Sequence, residues 1–210
     1  MFIGHFGIAF LLFGLFPGVP IWAILLAVCF PDLMWPLLIF AGIEKAKIDK
    51  DSPLQDRMRF ITFQYSHSFT MMIGTGAFVG LLLSFLLSDW NILLIFIIGS
   101  ISHFILDIVM HFKDMQVLGF GRSDKKLGFG LWRHGRAAFV IEYLFYLSCL
   151  AALKPKYVLP FLIVGTAFHL ANSDSFLGFT KKNLFKRNKS YAAAVFLAYS
   201  AFVFISTLII

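Results

Sequence analysis

Seven stretches of the chain are almost wholly apolar: residues 3–16, 20–42, 66–88, 91–112, 137–153, 157–173 and 191–210. Long polar stretches at 43–65, 113–136 and 174–190 divide them into groups. A helix crossing a bilayer needs about 20 apolar residues, fewer when it is tilted or sheltered by neighbours. The pattern therefore predicts an all-α fold, a polytopic transmembrane helical bundle of about seven spans in a single domain over 1–210, the first span being short. Pro17-Gly18-Val19-Pro20 ends the first helix, because proline lacks an amide donor and restricts the residue before it. Ser88, Asp89 and Trp90 predict a tight turn between the third and fourth spans.

Composition agrees. Of 210 residues, 60% are hydrophobic and 14% charged, against about 45–50% and 25% in soluble domains. The mean hydropathy of +0.85 implies helices that face hydrocarbon as well as each other. The N-terminal segment has no basic region or small-residue cleavage site ahead of its apolar run, so it reads as part of the mature chain. Cys29 and Cys149 lie in apolar stretches and read as small core hydrophobes, with no disulfide framework indicated.

Charge orients the bundle. All but two of the 18 Lys and Arg residues, the exceptions being Lys154 and Lys156, fall in the three polar stretches that seven crossings put on one side with the N-terminus. The positive-inside rule makes that side cytoplasmic and the C-terminus external. A net charge of +7 can signal nucleic acid, but no nucleic-acid-binding motif accompanies these residues, and anionic headgroups are the simpler partner.

Asp32, Asp107 and Glu142 lie inside the expected spans, where a charge costs about 2.5–3.5 kcal/mol even on a lenient scale. His5, His67, His103, His111 and His169 lie in spans or at their ends. In Ser102-His103-Phe-Ile-Leu-Asp107-Ile-Val-Met-His111, spacings of four place three polar side chains on one helical face, drifting about 40° per step. An i, i+4 His–Asp pair can present a nitrogen and an oxygen to one metal ion. At about 1.5 Å per residue, Asp32 and His103 both lie roughly 18 Å from the outer ends of their spans. The other polar groups fall in the same inner half, which predicts one cytoplasm-facing cavity.

Structural roles compete at each position. His103 and Asp107 can form a hydrogen-bonded pair without metal, His67 can belong to a helix cap, and His5 can sit at the interface. Glu142 and His169 fit structural roles better than ligation, and His134 fits a headgroup contact. No Ser-His-Asp triad, P-loop or dinucleotide glycine motif is present.

Gly4-His5-Phe6, Pro31-Asp32-Leu33, Ser66-His67-Ser68 and Ser102-His103 followed by Asp107 resemble the bacterial membrane-bound metal-dependent hydrolases. That family is distantly similar to zinc-dependent phospholipase C and P1-type nucleases. Met1 to Phe6, Asp32 to Pro36, Tyr65 to Ser68 and Gly130 to Trp132 also resemble a set of uncharacterised multi-spanning bacterial proteins. The first resemblance implies a divalent metal centre, with zinc expected, ligated by His5, Asp32, His67, His103 and Asp107. His111 would be a further ligand or its partner. Ser66, Ser68 and Glu142 would support the ligands by hydrogen bonds. The later His-x-x-x-Glu pair of the soluble phospholipases has no counterpart, since His134 and Glu142 are wrongly spaced.

The resulting expectation is a metal-dependent hydrolase of the bacterial inner membrane, acting on a lipid-linked or amphipathic phosphoester at the cytoplasmic leaflet. Asp32 or Asp107 would position the nucleophile as the catalytic carboxylate, and Arg133 and Arg136 would hold the anionic headgroup. The alternative is a transporter or ion-coupled permease using the same His/Asp cluster. It predicts a path to the outer leaflet, where the spans carry almost no ionisable groups. A membrane scaffold without activity is a third possibility.

Overall fold

The computed structural model describes residues 2–121 and 123–210. Met1, which opens the N-terminal motif, and Arg122, one of the basic loop residues, lie outside them. In chain order come α1 (Ile3–Leu15), α2 (Ile21–Phe40), β1 (Lys45–Lys47), β2 (Arg59–Thr62), α3 (Gln64–His67), α4 (Phe69–Leu87) and α5 (Asn91–Met110). There follow β3 (Met115–Gln116), β4 (Lys126–Leu127), α6 (Gly135–Leu150), α7 (Pro155–Ala171), α8 (Asp174–Leu177) and α9 (Asn188–Ile209). Single 3-10 turns cover Gln55–Arg57 and Leu131–His134.

The expected seven spans are corrected to four. Among the described residues, α2, α4, α5 and α9 are long and apolar enough to cross a membrane, at 20, 19, 20 and 22 residues. The other apolar stretches form α1, α6 and α7, of 13, 16 and 17 residues. At about 1.5 Å per residue they extend roughly 20–26 Å, short of the ~30 Å hydrocarbon core. Their ends are set locally. Pro17 and Pro20 bracket the turn after α1, and the turn at Ala151–Leu153 stops α6 before Pro155 opens α7. In α4 and α9 only 22% of the apolar stretch is buried, leaving side chains such as Phe78, Leu86 and Leu208 exposed.

α2 is the central element, packing on α9, α5 and α1, while α4 pairs with α5 and α1 with α6. Two helix contacts depend on missing side chains. A Cβ at Gly80 of α4 would lie 2.8 Å from Phe96 Cβ and 3.1 Å from Leu93 Cα. A Cβ at Gly99 of α5 would lie 2.7 Å from the Ala27 carbonyl oxygen. That carbonyl is four residues before Pro31, which has no N–H to give it and whose ring crowds it. Pro31 thus loosens α2 where α5 comes closest.

The turn at Ser88 is confirmed. Ser88 is the one described non-glycine residue with positive φ (55°), and the Asp89 carboxylate accepts from Asn91 N at 2.9 Å. The polar stretches are structured too. β1 pairs antiparallel with β2 and β3 with β4. The segment before α9 is tied to the first ribbon, with Asn183 Nδ2 donating to Asp49 O at 3.1 Å and Asn188 to Ala46 O. Both cysteines are buried and free.

Candidate metal centre

Three helices and a helical turn aim polar side chains at one point. His5 comes from the first turn of α1, Asp32 from α2 just past Pro31, His67 from the end of α3, and His103 and Asp107 from one face of α5. Ser68 is extended (ψ 148°), and this break between α3 and α4 separates His67 from the long helix. All five are buried except Asp32, whose side chain is 16% exposed.

The imidazole Nε2 atoms face the two carboxylates. His5 Nε2 lies 3.2 Å from Asp107 Oδ1 and 3.8 Å from Asp32 Oδ2. His103 Nε2 lies 3.2 Å from Asp107 Oδ2 and 3.6 Å from Asp32 Oδ2. His67 Nε2 lies 3.3 Å from Asp32 Oδ1 and 3.9 Å from Asp107 Oδ2. The rings of His5 and His103 stack at 3.6 Å with 2° between planes.

Partners on the far side of the rings assign two tautomers. His103 Nδ1 donates to the Val28 carbonyl at 2.7 Å, a residue of the turn loosened by Pro31. His67 Nδ1 lies 2.7 Å from Ser66 Oγ, which donates its own proton to Glu44 Oε2 at 2.6 Å. Ser66 Oγ must therefore accept from His67 Nδ1. In a neutral imidazole His103 Nε2 then carries a lone pair toward the carboxylates, while His67 Nε2 is in hydrogen-bonding contact with Asp32 Oδ1 at 3.3 Å. His103 Nε2, Asp32 Oδ2 and both His5 ring nitrogens are buried without a hydrogen-bond partner among the described residues. Lone pairs converging on carboxylates repel unless a positive charge sits among them.

The donor set and its spacing fit a metal. His5, His103 and Asp107 form one triplet of ligand atoms within 4.8 Å of one another, and Asp32, His67 and His103 form another. Zn–N and Zn–O bonds of about 2.0–2.2 Å on a tetrahedral ion separate ligands by about 3.3–3.5 Å. The observed 3.2–3.9 Å separations bracket that value, whereas charge-assisted hydrogen bonds would contract to about 2.7–2.9 Å.

Glu44 was missed by the sequence reading. It is 1% exposed at the end of α2, accepts from Tyr65 N at 2.8 Å, Ser66 N at 2.9 Å and Ser66 Oγ, and so fixes the segment carrying His67. Burial pushes its carboxyl above the usual carboxylate range, against those hydrogen bonds and the nearby His67. The remaining candidates are placed as follows. His111, at the C-terminal end of α5, is buried with Nε2 3.9 Å from Asp107 Oδ2 and Nδ1 3.4 Å from Asp114 Oδ1. Ser68 is buried, and among the described residues its hydroxyl has no hydrogen-bond partner and no side chain caps α4. Glu142 Oε1 accepts from Gly4 N at 3.1 Å and from Phe2 N, holding the start of α1 beside His5. His169 stacks on Phe139 at 3.9 Å and hydrogen-bonds its carbonyl at 3.1 Å, away from the cluster. Arg133, over the Phe112 ring at 5.2 Å, and Arg136 are both exposed.

Asp32, Asp107, His67 and His111 form the polar wall of a cavity of about 340 Å³. Its other walls are mainly aromatic and apolar, and neither Arg133 nor Arg136 lines it. The chain matches no protein-family model, no curated protein and no solved structure.

Proposed function

We propose that this protein is a membrane-embedded, metal-dependent hydrolase of a lipid-linked or amphipathic phosphoester. The observation that carries the reading is the convergence of His5, His67 and His103 Nε2 on two carboxylates at 3.2–3.9 Å, with His103 Nε2 and both His5 ring nitrogens buried without a hydrogen-bond partner among the described residues. His5, His103 and Asp107 would hold the ion, with Asp32 and His67 completing the donor set or holding a second ion through the shared His103. A divalent cation there, zinc being the first choice for nitrogen and oxygen donors, supplies Lewis acidity toward a phosphoryl oxygen and lowers the pKa of water toward 7.

The chain's own groups divide the remaining work. Asp32, the more exposed carboxylate and part of the cavity wall, accepts a proton from the attacking water. Asp107, almost fully enclosed, would be a ligand beside His5 and His103, the latter oriented by the Val28 carbonyl. Glu44 and Ser66 hold the His67 tautomer, and Glu142 holds the turn bearing His5. The basic loops support placing this end of the protein at the cytoplasmic leaflet of a bacterial inner membrane. The resemblance of the His5, Asp32, His67 and His103/Asp107 motifs to the membrane-bound metal-dependent hydrolases supports the reaction class.

The test is elemental analysis of purified protein beside assays on lipid phosphoesters. Bound metal and activity in wild type, both lost in His103→Ala, are expected. Protein that purifies without metal and stays inert when zinc, manganese or magnesium is added overturns the reading.

A further inference from the structure

The walls of the cavity show what kind of molecule fits beside the cluster. Apart from Asp32, Asp107, His67 and His111, no Lys, Arg, His, Asp or Glu among the described residues lines it. The neutral polar side chains Gln55, Asn172 and Ser175 contribute at its edge, and the rest is aromatic or aliphatic. Room is left on one side because α7 and α9 present Ala171, Ala194 and Ala198 there.

Positive charge is close at hand but turned away. Beyond the 3-10 turn that ends at Arg57, the chain runs extended through Met58, Arg59 and Phe60. In extended backbone successive side chains point to opposite faces. Met58 and Phe60 line the cavity, while Arg57 and Arg59 line a separate hollow with Asp56, Phe112 and Arg133. The partition repeats at the next basic segment, where Trp132 lines the cavity and Arg133 the outer hollow. A pocket for a zwitterionic headgroup, a nucleotide or a diphosphate would need charged partners beyond the cluster. The walls offer none.

We propose that this cavity takes the uncharged hydrocarbon chain of the substrate, acyl, alkyl or isoprenoid, so that the ligand is a phosphoester with its single anionic group at the His/Asp cluster and an apolar remainder among the aromatic walls. The assignment rests on the hydrolase reading for the anionic end and on the cavity alone for the apolar end. It also removes Arg133 and Arg136 from substrate recognition inside the cavity.

Two homologous series separate the two ends. Binding of methyl, butyl and hexyl phosphate to the metal-loaded protein in amphipol, and of butanol, hexanol and octanol to the same preparation, is measured by calorimetry. Affinity is expected to rise by up to about fourfold for each added methylene in both series, as full burial of a methylene predicts. Ala194→Phe fills the cavity and should flatten the slope while leaving methyl phosphate binding intact. Ala171→Leu repeats the test should the first variant fail to fold. Arg133→Gln should leave both series unchanged. A steep alkanol slope with alkyl phosphates binding no tighter than alkanols would remove the hydrolase reading and keep the chain site. Methyl phosphate binding with a flat slope in both series, or loss of phosphate binding in Arg133→Gln, would overturn the chain site and leave the hydrolase reading standing.

Discussion

The two ends of the α4–α5 pair solve the same problem, burying polar atoms among apolar helices, in opposite ways. Near the turn at Ser88, the Ser84 hydroxyl accepts from Leu93 N at 2.9 Å and Gly80 lets Phe96 pack against the α4 backbone. Among the described residues, no buried side-chain nitrogen or oxygen between 80 and 96 lacks a hydrogen-bond partner. At the other end, α5 brings His103 and Asp107 to a cluster whose nitrogen and oxygen atoms face one another at 3.2–3.9 Å, with His103 Nε2 unpartnered among the described residues. The first end is built for stability. The second concentrates three imidazoles and two carboxylates with several ring nitrogens unpartnered among the described residues, which makes it the candidate site.

The largest expected effect separates them most sharply. Asp107→Asn should weaken divalent-metal binding by more than about 100-fold, exceeding the cost of losing an outer partner of a ligand. The metal-free variant should differ little in stability from metal-free wild type, because relief of a buried charge is offset by the loss of its interactions with His5 and His103. Elemental analysis with thermal melts, each with and without chelator, measures both. A metal-free variant that unfolds well below metal-free wild type would make Asp107 a structural ion-pair residue instead.

Gly80→Leu is the reverse experiment. Overpacking against Phe96 and Leu93 should cost about 1–3 kcal/mol. Metal stoichiometry of the folded fraction should not change. Loss of metal from the folded fraction would show that the two ends are coupled through α5.

How far this division could be read from the chain differs residue by residue. His103 and Asp107 were legible because a spacing of four is itself a geometric statement, and the structure places both Nε2 and carboxylate on the predicted face. His5, Asp32 and His67 rested on depth along separate helices, and the structure brings them to the same point. The span count was not legible to that degree. Hydropathy locates an apolar run but not where its helix stops, and turns at Phe16, Ala151 and Asn172 shorten α1, α6 and α7. Glu44 was invisible because an acid beside Lys45 and Lys47 looks like a solvated charge. Only its pairing with Ser66, 22 residues later, reveals a buried one. Arg133 and Arg136 offered charge for an anionic headgroup in the sequence, but Arg133 lines the outer hollow and neither arginine lines the cavity.

Glu44 therefore gives the next test. Glu44→Ala should weaken metal binding about tenfold, the lower range for loss of a carboxylate that orients a ligating histidine through its partner. Ser66→Ala should match it, and the double variant should be no worse than either single one, since both act through the His67 tautomer. Additive losses would mean that Glu44 acts on the fold of the 44–66 ribbon rather than on the histidine.

The smallest effect is expected at an exposed acid that belongs to neither end. Asp124 accepts from Leu118 N at 3.0 Å and Gly119 N at 2.7 Å, closing the loop between β3 and β4. Desolvation raises its carboxyl pKa, but the backbone donors together outweigh that and hold it below the usual carboxylate range. A depressed value means that the contribution is present above the unfolded pKa of about 3.9 and is lost as pH falls through the lower folded value. Asp124→Asn should speed amide exchange at Leu118 and Gly119 at neutral pH and leave metal content and melting midpoint unchanged. Wild type should show the same local loosening only when titrated below about pH 4. Loosening already at pH 6 would mean that the backbone donors do not hold the charge of this carboxylate.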